Sequence, residues 1–210
     1  MLKSYKKYFV IGFNKTATTT FHNLFVKNNL TSQHITKWDT DNYQCFSDNG
    51  DLNNYKELDL KYENSIFILN VREIDNWLIS RFKHGVRGFR KSKKHNWAYP
   101  YTREKCINWI NLRDNYHMKI LDYFSKTPEK MIIVNIDREG WINYLCSQLH
   151  FKNNNIEAKN VHKTTDSDDH KNICELVNKT LEELNYNKKT ILFQNKELLE
   201  KYKKIYNNYI

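Results

Sequence analysis

Lys15 and the threonines that follow it are residues that could hold a phosphate or a sulfate group. The apolar run from Tyr8 to Phe13 predicts a buried strand, and it ends in a short polar turn. Beyond the turn, Thr18 opens a segment whose apolar residues have helical spacing, namely Phe21, Leu24 and Phe25. The first N–H groups of a helix have no intrahelical partner, and the helix dipole places partial positive charge beside them. With the ammonium group of Lys15 and the threonine hydroxyls, this turn predicts an anion-binding site.

An arginine and a serine follow a second predicted strand with a spacing that also suits a phosphate. Residues Ser65 to Val71 are mostly apolar and β-branched, which is typical of a strand, and Arg72 stands at its end. Apolar residues at helical spacing then predict a helix, on which Ser80 lies eight residues after Arg72. A planar guanidinium group binds phosphate through two parallel hydrogen bonds. Ligands of open parallel sheets bind at the carboxyl ends of the strands, so Lys15 and Arg72 are both expected at that edge.

Taken together, the two segments resemble those of the PAPS-dependent sulfotransferases. The first is not a Walker A loop, because Lys15 lies three residues after Gly12 and no glycine directly precedes it. The stretch from Gly12 to Thr19 is instead similar to the 5′-phosphosulfate loop of that family. Arg72 and Ser80 are similar in order and spacing to its 3′-phosphate site.

The resemblance covers about residues 8–165 and implies a fold, a cosubstrate and a set of binding residues. The fold is the P-loop-like sulfotransferase fold, a three-layer α/β/α arrangement around a central parallel sheet. The cosubstrate is PAPS (3′-phosphoadenosine 5′-phosphosulfate), the product is PAP, and no metal is required. The residues expected to bind the nucleotide are Lys15, Thr16, Ala17, Thr18, Thr19, Arg72 and Ser80. Lys15 is also a catalytic residue that would neutralise the departing phosphate, and Ala17 replaces a glycine of the family, so a positive φ there is costly.

Two carboxylates are candidates for the base that takes the proton from the acceptor. Glycan-type members of the family use an acid soon after the first helix, where Asp39 lies nearest. Hormone-type members use a group after the strand that precedes the arginine strand, where Asp48 lies nearest. His34 and His84 fit neither pattern. A later segment that ends near Lys163 resembles the loop that closes over the nucleotide, and Lys163 could reach a phosphate from it.

Strands and helices alternate along the chain and predict a single α/β domain over residues 1–210. A third strand is predicted at residues 131–135, and a helical stripe runs from Trp141 to Leu149. Residues 168–210 are expected to be a helical C-terminal part, with one long helix over residues 190–210. A chain of 210 residues is long enough to bury a substantial core.

The formal net charge of +10 is concentrated in the segment from Lys83 to Lys105. This segment contains eight lysines and arginines and one acid, Glu104, with aromatic residues between them. Its glycines, its proline and its weak periodicity predict a basic loop or lid with short helical parts, and a helix is predicted over residues 102–124. Such a segment suits a hydroxyl-bearing, anionic acceptor such as a glycan, because rings stack on sugars and basic charge attracts acids. A solvated basic loop without a ligand is the alternative.

Other classes of function stay open at the level of the sequence. A P-loop-like small-molecule kinase requires a serine or threonine after a Gly-Lys pair, which is missing here. A basic nucleic-acid-binding module would leave Lys15, Arg72 and Ser80 without a role, so no nucleic-acid partner is expected. A sulfotransferase fold that binds PAP without turnover is a third possibility. The acceptor and the oligomeric state are left open.

The sequence predicts a soluble, cytoplasmic protein. No apolar stretch approaches the roughly 20 residues that span a bilayer, and the first residues lack an h-region and a cleavage site. The four cysteines are far apart in the sequence and form no Cys-x-x-Cys pair, so a zinc site is not expected. We expect the four thiols to be reduced.

Overall fold

The computed structural model describes residues 6–92, 97–152 and 168–203. The chain divides into two compact units. The first comprises Met1–Val71, Ile120–Lys159 and Glu200–Ile210, and the second comprises Arg72–Lys119 and Asn160–Leu199. Each unit is described separately, and the single domain over residues 1–210 stays a prediction.

The first unit is built on a sheet of five parallel strands. These are β1 (Lys7–Val10), β2 (Ser32–His34), β3 (Cys45–Ser47), β4 (Ser65–Val71) and β5 (Met131–Asn135). They pair in the order β2-β3-β1-β4-β5, and every pairing is parallel. β4 and β5 have the bounds that the sequence predicts, and β1 is shorter than the predicted run from Tyr8 to Phe13.

Helices cover both faces of this sheet. On one face Val10 and Ile68 pack with Phe21 of α1 (Thr18–Lys27) and Leu145 of α5 (Trp141–Leu149) in one buried cluster. On the other face Phe9 stacks on Phe46 and Phe67, with ring centroids 5.0 and 5.3 Å apart. There Phe67 lies 4.9 Å from Phe124, at the end of α4 (Arg103–Phe124), and Phe124 contacts Tyr55 of α2 (Tyr55–Lys61). The predicted three-layer α/β/α arrangement with a parallel sheet is therefore confirmed.

Helices make up most of the described part of the second unit. It contains α3 (Ile74–Ser92), most of α4, and α6 (Asp168–Glu183). The short helix α7 (Lys196–Lys201) begins in the second unit and ends in the first. Phe82 of α3 packs on Trp109 of α4, with ring centroids 4.4 Å apart. No helix in the described ranges is both long and apolar enough to cross a membrane.

The prediction of a loop over residues 83–105 is wrong for most of the residues that the structure describes in this segment. Residues 83–92 continue α3, and α4 begins at Arg103, so among the described residues of this segment only 97–102 lie outside the two helices. Gly85 is buried inside α3 because the chain at Ala98 approaches it so closely that a Cβ at Gly85 would overlap the Ala98 side chain. This glycine therefore permits a tertiary contact instead of ending the helix. Lys93 and Lys94 lie outside the described residues.

The predicted long helix over residues 190–210 is also wrong in its described part. Only α7, Lys196–Lys201, is helical within residues 190–203. The peptide oxygens of Thr190 and Ile191 accept hydrogen bonds from Arg113, and that of Leu192 is bonded to His117. These side chains hold the carbonyl groups that a helix would use. Residues 204–210 lie outside the described part of the chain.

Candidate anion-binding site

The turn between β1 and α1 has the backbone shape of an anion-binding loop. Lys15 and Ala17, on either side of Thr16, both adopt the left-handed conformation, with φ of 68° and 62°. Successive N–H groups in such a turn converge and form a concavity that binds anions. Ala17 is the N-cap of α1, and among the described residues no side chain caps that helix end. The loop from Gly12 to Thr18, which we call the anion loop, therefore has a backbone suited to the predicted binding of an anion.

Ala17 takes the positive φ that the sequence predicts to be costly for alanine. A left-handed residue with a Cβ costs about 1–2 kcal/mol relative to the right-handed form. Such strain persists only where surrounding contacts determine the conformation. The loop is therefore expected to be held by specific bonds.

Asn70 supplies those bonds from β4, the strand beside β1. The side chain is fully buried; its Oδ1 accepts the N–H of Gly12 at 2.8 Å, and its Nδ2 donates to the peptide oxygen of Thr16 at 2.9 Å. The hydroxyl of Thr16 in turn donates to the peptide oxygen of Phe13. Any side chain at Gly12 would overlap Asn70, so glycine is required at that position. Sequence reasoning missed Asn70, although a lone amide within an apolar strand was the available signal.

Asp48 lies beside the loop, at the carboxyl end of the strand that neighbours β1. Its Oδ1 is 3.5 Å from the hydroxyl of Thr18, and its Oδ2 accepts a hydrogen bond from Asn49 at 3.1 Å. Asn49 also accepts a hydrogen bond from Asn14 of the loop, at 3.2 Å. The structure therefore brings Asp48 together with the residues predicted to bind the 5′ end of the nucleotide.

Asp39 is placed differently from Asp48. Its side chain is exposed and accepts a hydrogen bond from Asn42, and its N–H is bonded to Gln33. The adjoining peptide oxygen of Thr40 accepts a hydrogen bond from Lys7, the first residue of β1. This segment is thus anchored toward the amino end of β1, whereas the anion loop follows its carboxyl end. Of the two candidate bases, Asp48 is the one beside the loop.

His34, which fits neither base pattern, lies next to the start of α1. Its Nε2 is 3.2 Å from the hydroxyl of Thr19, and its Nδ1 is 3.1 Å from that of Ser47. The ring of His22 lies 5.7 Å away, and burial, followed by the neighbouring His34, lowers the pKa of His22. His34 therefore contacts Thr19 of α1 and Ser47, the residue that precedes Asp48.

The topology of the sheet predicts a crevice beside these groups. The connection after β1 runs through α1 on one face, and the connection after β3 runs through α2 on the other face. Neighbouring strands whose connections diverge leave a crevice at their carboxyl ends, where ligands of open α/β sheets bind. Lys15 and Asp48 both follow strands that border this crevice.

Arg72 and Ser80 belong to the second unit. Arg72 directly follows the last residue of β4, and Ser80 lies on α3; both side chains are half-buried. The peptide oxygen of Arg72 accepts a hydrogen bond from Arg113 at 3.0 Å. Their assignment to a 3′-phosphate stays a prediction, and Lys163 lies outside the described residues.

The first unit therefore offers a convergent backbone turn, a helix N terminus, a lysine and hydroxyl groups, with a carboxylate beside them. Such a set can bind an anionic group and accept a proton from a molecule next to it. No protein-family model matches the chain, and no curated protein matches it either. The functional assignment consequently depends on the residues and their geometry.

Proposed function

We propose that this protein is a PAPS-dependent sulfotransferase, which moves a sulfuryl group from PAPS to a hydroxyl or amine of an acceptor. The observation that carries the proposal is the loop from Gly12 to Thr18, locked by Asn70 in an anion-binding conformation and followed by the N terminus of α1. Lys15 and Asp48 supply the charge and the proton acceptor that the reaction needs. The resemblance of the loop to the 5′-phosphosulfate loop supports the choice of nucleotide.

Sulfuryl transfer requires positioning and charge stabilisation more than covalent work by the protein. An acceptor oxygen or nitrogen attacks the sulfur atom, the bond from sulfur to the bridging oxygen of PAPS breaks, and PAP leaves. Lys15 neutralises the charge that develops on the departing phosphate. Asp48 takes the proton that the acceptor loses. The loop N–H groups, that of Thr16 included, hold the 5′-phosphate together with the hydroxyls of Thr18 and Thr19.

Arg72 and Ser80 account for the choice of PAPS over other adenine nucleotides. A guanidinium group and a hydroxyl would bind the 3′-phosphate, which AMP, ADP and ATP lack. This part of the proposal depends on the resemblance of the two residues to the 3′-phosphate site.

A surface of the second unit suits an anionic glycan as acceptor. Phe89 and Tyr99 stack, with centroids 4.5 Å apart and planes 15° apart, and the side chains of Arg87 and Lys91 are exposed nearby in the sequence. We call these four residues the basic–aromatic surface. Arg90 is less suited to recognition, because it already forms an ion pair of 2.5 Å with Asp169. Aromatic rings bind sugar faces, and the exposed charges of Arg87 and Lys91 attract sulfate or carboxylate groups.

Phosphoryl transfer is the second candidate, and one observation favours it. Thr18 and Asp48 pair a hydroxyl with a carboxylate at the strand ends, and kinases with P-loops hold Mg²⁺ with such a pair. A small-molecule kinase would therefore bind ATP with magnesium at the same loop.

Thermal-shift titration separates the two candidates. The protein is titrated with PAP, AMP, ADP and ATP, each with and without Mg²⁺, and then screened for acceptors with labelled PAPS. The sulfotransferase proposal expects the largest stabilisation from PAP, independent of Mg²⁺. Equal stabilisation by PAP and ADP would contradict it, and a magnesium-dependent preference for ATP would support the kinase.

A further inference from the structure

Arg113 is a buried arginine whose guanidinium group binds backbone carbonyls of two distant segments. Its side chain is 2% exposed. Its Nη2 donates to the peptide oxygen of Arg72 at 3.0 Å and to that of Thr190 at 3.0 Å, and also to that of Ile191. One cation thus joins the chain that leaves β4 to the segment that follows α6.

Two further contacts join the same two segments. The N–H of Ile74 donates to the peptide oxygen of Thr190 at 2.9 Å. Lys189 forms an ion pair of 2.5 Å with Glu73. Residues 72–74 and 189–191 are therefore tied by a hydrogen bond, an ion pair and a shared arginine.

Stability alone is a weak reason to bury an arginine. Removing a cation from water costs several kcal/mol, and apolar residues of similar volume often stabilise a core as well or better. The nearest carboxylate, that of Asp114, is 3.7 Å away and is itself bonded to Tyr186 at 2.7 Å. The hydrogen-bond acceptors of its Nη2 are carbonyl oxygens, so these contacts of Arg113 fix the backbone.

We infer that Arg113 is a positioning residue, which fixes the backbone of Arg72 so that the Arg72 side chain meets a 3′-phosphate. This inference rests on the proposed function. An arginine fork binds phosphate well only when its base is held in place, since a bidentate contact is sensitive to small displacements. Lysine at position 113 would keep the charge but could not reproduce the fork across the carbonyl groups.

The test compares PAP with AMP, which differ only in the 3′-phosphate. Dissociation constants for both are measured by calorimetry on the wild type, Arg113→Lys and Tyr186→Phe. The control Tyr186→Phe perturbs the same buried cluster, because the Tyr186 hydroxyl interacts with both Asp114 and Arg113, but it removes no atom of the Arg113–Arg72 contact. Arg113→Lys is expected to lower the preference for PAP over AMP by about tenfold, with AMP affinity unchanged, since a hydrogen bond to a charged group is lost or misplaced. Tyr186→Phe should keep the preference.

A milder variant guards against a failure of Arg113→Lys to fold. Glu73→Gln removes the exposed ion pair to Lys189 and should lower the same preference by a smaller factor, about twofold to threefold. If Arg113→Lys folds and keeps the wild-type preference for PAP over AMP, the inference is overturned. If Arg113→Lys does not fold, an unchanged preference in Glu73→Gln overturns it. An equal loss of PAP and AMP affinity would also overturn it, because that result indicates a structural role only. A wild type that does not prefer PAP would reject the proposed function itself, and the inference with it.

Discussion

Lys15 is the residue on which the proposed chemistry most depends. It adopts a left-handed conformation within the anion loop. In the proposed reaction its ammonium group neutralises the negative charge that develops on the departing phosphate. Lys15→Ala should lower kcat by about a hundredfold or more, because one preorganised charge contact contributes roughly 3 kcal/mol to the transition state. PAP should still bind, through the backbone and the threonines. Steady-state kinetics and calorimetry test this, with the exposed Lys37→Ala as control; an unchanged kcat would remove Lys15 from the mechanism.

The two candidate bases can be compared by the same substitution. Asp48→Asn should lower kcat by about 10²–10⁴-fold, the range for loss of a general base, while Kd for PAP changes little. Asp39→Asn should leave kcat unchanged, because Asp39 is exposed and its segment is anchored away from the loop. The two variants remove the same charge, so kcat of each against the wild type tests position alone. A greater loss in Asp39→Asn would reverse the assignment, and equal activity in both would direct attention to His34.

At the scale of elements, Asn70 forms the hydrogen bonds that link β4 to the anion loop. Asn70→Ala removes its bonds to Gly12 and Thr16 and leaves buried polar groups without a partner. We expect a loss of about 3 kcal/mol in the free energy of unfolding and weaker binding of PAP and AMP alike. Urea denaturation and calorimetry measure the two effects. Ser65→Ala, at the other end of β4, is a matched control, because the buried Ser65 hydroxyl has no hydrogen-bond partner in the described structure and its loss should be nearly neutral.

The basic–aromatic surface, at the end of α3 and in the connection to α4, yields a prediction about the acceptor. Replacing Arg87 and Lys91 by glutamine should raise KM for an anionic acceptor and flatten its dependence on salt, because screening acts on exposed charges. Replacing the exposed Lys119 and Lys126 by glutamine removes the same net charge elsewhere. Acceptor kinetics between low and high salt compare the two double variants. Equal behaviour of both would mean that only overall charge matters and that the surface is merely solvated.

At the scale of the whole molecule, one buried carboxylate makes stability depend on pH. Burial raises the pKa of Asp114 from 3.8 to about 6, with the hydrogen bond from Tyr186 and the charge of Arg113 opposing it. The folded state therefore binds a proton that the unfolded state releases between about pH 4 and 6, and stability falls as pH rises through that range. A shift of about two units corresponds to about 3 kcal/mol.

Asp114→Asn should therefore gain stability relative to the wild type as pH rises from 4.5 to 7.5, by about 2 kcal/mol. Urea denaturation at both pH values measures this change. Asp41→Asn is a control whose difference from the wild type should hardly change between these two pH values, because the hydrogen bond from Lys61 lowers the pKa of Asp41 below 3.8 and its contribution to stability is lost only at lower pH. A pH-independent difference for Asp114→Asn would show that the carboxyl ionises in the folded state as it does in water.

What the sequence could predict depended on whether the signal was local. The bounds of β4 and β5 and the start of α1 at Thr18 follow from short apolar patterns, and the structure has them there. The helical path of residues 83–92 did not follow, because Gly85 owes its place to the approach of Ala98, a contact no local pattern contains. The role of Asn70 required the pairing of β4 with β1, and the choice of Asp48 over Asp39 required β3 to lie beside β1.

The bonds from Asn70 to the anion loop also have a kinetic consequence. They set the shape of the loop from within the protein, so a nucleotide that binds as proposed would meet donors already in place, and little conformational entropy would be lost in ordering them. Association should then approach the rate that diffusion and electrostatic steering allow, assisted by the net charge of +10. Differences in affinity between nucleotides would consequently arise mainly from their dissociation rates, and product release would limit kcat.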